Sequence, residues 1–214
     1  MISWLNDRLI LRPSQHAIDT PGKRRLLSYG DHQLEVWEHR RALDPSDQPN
    51  LYMLDFPGTA SRAEAPGDFL DGYWSDAHVV IWCVNPLGYG GSSGSASLRE
   101  LPGAALHAYD ELQIAAEQAP IIVSGSSLGT VSALYLAAQR DVAGLLLQNP
   151  PDLREVIYHR GRWALLRWAA RVLANHIPVE LGSICNAEQA TAPAVFVVAQ
   201  QDEIVPPPIQ QRIV

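Results

Sequence analysis

The chain has 214 residues, enough for one domain on a prior of ~150 residues per domain. A hydrophobic fraction of 47% and a charged fraction of 18% exclude general disorder, and a net charge of −7 with no long basic run excludes a nucleic-acid binder. Two cysteines, Cys83 and Cys185, exclude a disulfide framework; Cys83 lies in an apolar run and reads as a small buried hydrophobe. No apolar run approaches the ~20 residues of a membrane span, and the first residues, Met1 to Asp7, lack the basic start and apolar stretch of a signal peptide. The expectation is a cytoplasmic protein.

In chain order, Gln33–His39 alternates and reads as a strand near a sheet edge. Asp44 to Asn50 is a loop by composition. Leu51–Phe56 is a strand that ends in the turn signal Pro57-Gly58. Val79–Val84, nearly all apolar, suits a strand covered on both faces, and Asn85-Pro86 stops it. Ala104–Gln118 reads as a helix, Ile121–Val123 as a strand, Leu128–Gln139 as a helix and Gly144–Leu147 as a strand. Ala194–Ala199 is the last clear strand. Alternating strands and helices imply an α/β fold, with a mostly parallel sheet between helices on both faces and binding residues at the strands' carboxyl ends. No repeat, phosphate loop or dinucleotide fingerprint is present. Asp31, His32, Asp55 and Asp76 have no metal-ligand spacing, so neither a cofactor nor a metal is expected.

Gly125-Ser126-Ser127-Leu128-Gly129 matches G-x-S-x-G. The chemistry needs this spacing because a serine on a sharp strand-to-helix turn tolerates no Cβ two positions to either side. Gly90-Gly91-Ser92-Ser93-Gly94 matches as well, but it lies several residues past its strand and runs into a loop composition. Ser127 follows its strand almost at once and leads straight into a helix, so Ser127 is the expected nucleophile.

These segments together resemble the α/β-hydrolase superfamily. The likeness is to a small serine-hydrolase branch with a Gly-Tyr-Gly-x-Ser-x-Gly segment, here Gly88 to Gly94, and covers roughly residues 30 to 210. The resemblance implies one 1–214 domain with a small helical lid at about 151–190. Phe56 to Ala60 would be the oxyanion loop, with backbone N–H donors at Thr59 and Leu128. Pro57 stands where the family often has His. Asp202, in Gln201-Asp202-Glu203-Ile204-Val205-Pro206, would be the acid that orients the catalytic imidazole; alone, the same residue reads as a turn or helix-cap Asp.

The family's histidine should follow one more helix and strand, yet none of the 12 residues after Asp202 is His. Arg212-Ile213-Val214 reads as mid-helix, so the sheet would lack its last strand, the Ala194–Ala199 edge would be bare, and the histidine would lie beyond Val214 or on a partner chain. His159 or His176 in the lid is a possible substitute base, and a non-catalytic binding protein is the alternative. The expected activity is cleavage of a small ester or thioester through an acyl-enzyme; an acyltransferase would use the same residues. Leu153–Ala174, with Arg154, Arg160, Arg162, Arg167 and Arg171 against Val156, Ile157, Trp163, Leu166, Trp168, Val172 and Leu173, is amphipathic and divided at Gly161. Packing on the core with a solvated basic face is favoured over acyl binding or membrane contact. Oligomeric state has no signal in the sequence.

Overall fold

The computed structural model describes residues 2–41, 48–65, 78–161 and 167–214. Seven strands form one sheet: β1 (Lys23–Tyr29), β2 (His32–Arg41), β3 (Leu51–Phe56), β4 (Val79–Asn85), β5 (Ile121–Ser126), β6 (Gly144–Gln148) and β7 (Ala194–Val197). Their order is β1-β2-β4-β3-β5-β6-β7. β1 and β2 are antiparallel to their neighbours, and β4-β3-β5-β6-β7 are parallel. The mostly parallel sheet expected from the sequence is therefore present.

Gln33–His39 lies in β2, one strand in from the sheet edge, as its reading near an edge expected. The edge itself is β1, a hairpin partner that the charged run Lys23-Arg24-Arg25 concealed. Glu35 and Glu38 are buried in β2 because Arg24 and Arg25 reach across from the edge strand to meet them.

β4 is buried at every position because successive side chains enter different cores. Val80, Trp82 and Val84 pack with Leu54 and Phe56 against α2 (Glu100–Ala116) and α3 (Leu128–Gln139), through Ala105, Ala108 and Leu112 of α2 and Ala133 and Leu134 of α3. Val79, Ile81 and Cys83 join Met53 and Ala63 in a separate cluster. Each such side chain removed from water contributes about 1.5–3 kcal/mol. At the other end of the chain, β7 is an edge strand with Val195 and Val197 exposed, as its sequence implied.

The lid region divides as expected. Asp152 caps α4 (Leu153–Arg160) by accepting from the N–H groups of Arg154 and Glu155, and Gly161 ends it. Helix α5 (Arg167–Asn175) follows, then a 3-10 turn at Val179–Leu181 and α6 (Ser183–Gln189). A third cluster joins Leu153, Ile177 and Leu181 to Leu128 and Val131 at the start of α3, packing this helical segment beside the strand-to-helix turn at Ser127, the elbow. The helical reading of Arg212–Val214 fails: α7 (Pro207–Gln210) ends at Gln210 and a turn follows. Helix α1 (Ile2–Ile10) was not expected at all. Asp44–Asp47, Asp76, Arg162, Trp163 and Leu166 lie outside the described residues.

Candidate active site

Ser127 sits between the last residue of β5 and the first of α3, at φ 49° and ψ −117°. A side chain in that backbone region is strained, and such strain persists only where the surroundings impose it. Here tight backbone packing imposes it, and the glycines two positions to either side permit that packing. A Cβ on Gly125 would lie 2.7 Å from backbone atoms of Gly129 and Thr130, and one on Gly129 would lie 1.8 Å from the Phe56 carbonyl oxygen. Strand end, turn and helix start are thus in backbone contact, as the sequence argument for the spacing requires. The Ser127 N–H donates to the Gln148 carbonyl of β6 at 2.8 Å, which anchors the turn to the neighbouring strand.

The loop after β3 lies against this turn. A Cβ on Gly58 would stand 3.4 Å from Ser127 Cβ, and Ala60 takes φ 63°. Thr59, Ala60, Ser127 and Leu128 together line one cavity of about 640 Å³. Leu128 opens α3, and the first N–H groups of a helix have no intrahelical acceptor and favour negative charge. Three of the four residues singled out by sequence therefore share a wall. The fourth, Asp202, does not line it, although Ile204 and Val205 do. Its Oδ1 accepts from the N–H groups of Ile204 and Val205 at 2.8 and 2.9 Å, the turn role open to it in the sequence; its Oδ2 has only a long 3.5 Å contact from Gln210 Nε2.

None of the seven histidines lines the cavity. His159 and His176 are exposed, and His176 Nδ1 lies 2.8 Å from the Val172 carbonyl, one turn back in its own helix. The substitute-base expectation is not met by this arrangement. Among the described residues no group of His, Cys, Asp and Glu could hold a metal ion.

The second G-x-S-x-G segment has a different task. Ser92 is buried; its hydroxyl donates to the Asn85 carbonyl at 2.7 Å and accepts from the Glu35 N–H at 2.8 Å. Burial alone would push the Glu35 carboxyl up, but the Gly91 N–H, Arg24 and Asn85 outweigh it and hold the carboxyl below its ordinary range. Asn85 Nδ2 also donates to Glu64, which pairs with the buried Arg62. This network ties the 88–94 loop to β2 and to the loop after β3.

Beneath the elbow, Asp55, Cys83 and Ser124 stand side by side on β3, β4 and β5. The Ser124 hydroxyl donates to Asp55 Oδ1 at 2.5 Å. Burial pushes the Asp55 carboxyl up, partly countered by Ser124, Cys83 and His39. Burial, then the neighbouring Asp55, raises the Cys83 thiol. Asp55 thus ties β3, the strand that carries the loop, to its neighbour β5.

Sequence reasoning missed the far wall of the cavity. Asn6, Leu9 and Ile10 of α1 line it, followed by Arg12, and they face Ala169, Ala170 and Leu173 of α5. The buried Asn6 joins the helices, donating from Nδ2 to the Leu173 carbonyl at 2.9 Å. The Leu5-Leu9 spacing was the available signal.

Among solved structures, an α/β hydrolase from Vibrio vulnificus is similar at a TM-score of 0.70 and 22% identity, over 91% of this chain and 74% of that one. An esterase of Pyrococcus furiosus aligns at a TM-score of 0.66 and 13% identity, over 95% and 82%. The chain has the α/β-hydrolase fold. An acylaminoacyl peptidase from Pyrococcus horikoshii shares it at a TM-score of 0.63 and 16% identity, covering 92% of this chain but 34% of its own. No family model matches the sequence. Two uncharacterized proteins of Mycobacterium tuberculosis, from strains H37Rv and CDC 1551, are 35% identical over 130 residues. That match takes in 59% of this chain and 44% of each relative.

Proposed function

We propose that the chain carries the core of a serine hydrolase that cleaves an ester or thioester through an acyl-enzyme on Ser127. One observation carries this reading: Ser127 is held in strained backbone at the wall of a cavity shared with Thr59 and Leu128. Attack by Ser127 Oγ on the acyl carbon moves charge onto the carbonyl oxygen. The N–H groups of Thr59 and Leu128 receive that charge, at about 3–4 kcal/mol for each such donor. The hydroxyl proton passes to an imidazole and then to the leaving group. Asp202, through its lightly engaged Oδ2, orients that imidazole. No histidine of the chain lines the cavity, so this reading requires an imidazole brought to Ser127 from outside that wall. Solved structures of this fold that are named as an esterase, a putative lipase and a peptidase support the reaction class.

The second reading, a binding protein without turnover, is favoured by the absence of any of the chain's histidines from the cavity. Intact mass of the full-length protein after a fluorophosphonate probe separates the two. Hydrolase chemistry gives a single adduct that Ser127→Ala loses while keeping its fold. No adduct on the folded full-length protein overturns it.

A further inference from the structure

Helices α1 and α5 form part of the cavity wall, and each leaves a tryptophan in water. Trp4 is 58% exposed and Trp168 77%, and no other tryptophan among the described residues is exposed. Leu9 is 52% exposed and also lines the cavity that holds Ser127, so one apolar side chain of α1 reaches both solvent and pocket. Trp168 in water also departs from the packed-helix reading of the lid.

The two helices also carry exposed arginines within an acidic chain. Arg8, Arg167 and Arg171 are exposed on the two helices, and Arg12 follows α1. The lone acid on either helix, Asp7, is engaged by the Leu98 N–H at 2.8 Å. The Arg8 guanidinium lies 5.4 Å from the Trp4 ring centroid, a cation beside an aromatic as at the headgroup level of a bilayer. A second copy of this chain would set the same arginines against one another across a two-fold interface. An anionic lipid surface complements both the arginines and the exposed tryptophans.

We infer that α1 and α5 dock on an anionic lipid bilayer and present the cavity to acyl esters within it. The acyl-ester part rests on the hydrolase reading; docking does not. Neither helix is long and apolar enough to cross a membrane, and no described helix is; the contact proposed for α1 and α5 is with the bilayer surface. The cavity lies within the ~300–1,000 Å³ typical of ligand pockets.

The test is sedimentation of the full-length protein with phosphatidylcholine vesicles, with and without phosphatidylglycerol. It is run on wild type, Ser127→Ala, Trp4→Ala/Trp168→Ala and Arg8→Glu/Arg167→Glu, each checked for an unchanged melting curve. Wild type and Ser127→Ala bind the anionic vesicles, and salt weakens binding. The aromatic double variant loses binding at least about tenfold, and the arginine double variant falls as far. Both keep fluorophosphonate labelling, because their changed residues lie outside the cavity wall. Equal binding to neutral vesicles, no binding, or a salt-stable dimer that ignores vesicles each overturns docking. Vesicle binding without serine labelling instead overturns the hydrolase reading and leaves docking standing.

Discussion

Gly129 tests whether contact between the elbow and the loop after β3 is what shapes the site. Helix propensity alone predicts that Gly129→Ala stabilises the first turn of α3 by up to about 1 kcal/mol. The tertiary contact predicts the opposite. The new methyl carbon would lie 1.8 Å from the Phe56 carbonyl oxygen, 2.5 Å from its carbon and 2.8 Å from the Pro57 oxygen. All three are backbone atoms, so no side chain can swing away; β3 must retreat by roughly 1.6 Å or more to reach ordinary contact. Overpacking of this kind costs about 3 kcal/mol, which outweighs the propensity gain. The retreating residues carry Thr59, and a displacement near 1 Å lowers reactivity about 100-fold. Gly125→Ala, at 2.7 Å from backbone, should cost about 1–2 kcal/mol. Gly144→Ala meets nothing nearer than 3.5 Å and should stay within about 0.5 kcal/mol of wild type. Urea denaturation gives the stabilities, and the rate of fluorophosphonate labelling reports the site. A Gly129→Ala protein as stable as Gly144→Ala, labelling at the wild-type rate, would refute the reasoning.

Two further predictions separate structural from chemical roles. Ser92→Ala removes a hydroxyl bonded on both sides within a buried network and should cost about 2 kcal/mol while leaving fluorophosphonate labelling intact; loss of labelling with stability retained would assign chemistry to the wrong serine. Asp55→Asn keeps an acceptor for the Ser124 hydroxyl but cannot ionise. Because burial raises the folded carboxyl above its ordinary 3.8, the unfolded chain releases its proton first as pH rises. Wild type then loses stability at up to about 1.4 kcal/mol per pH unit until the folded group also ionises. The melting temperature of Asp55→Asn relative to wild type should therefore climb as pH increases from about 4, and a pH-independent difference in thermal melts would count against a carboxyl raised by burial.

Local signals sufficed where one contiguous segment sets its own structure. The apolar run of β4 announced burial on both faces, and alternating strands and helices announced the parallel sheet. The G-x-S-x-G segment at Ser127 told its own story because strand, turn and helix are consecutive residues. The different settings of Ser127 and Ser92 were also legible, since only one follows its strand directly. The rest depended on partners distant in sequence. β1 was hidden because its basic residues look like surface until Glu35 and Glu38 are seen opposite them. The role of Asp55 requires Ser124, 69 residues away. The far wall of the cavity joins Asn6 to Leu173 across 167 residues, a pairing that no local pattern encodes. Periodicity reports which face of an element is apolar; only packing decides what that face meets, and at α1 and α5 it decides which apolar residues stay in water.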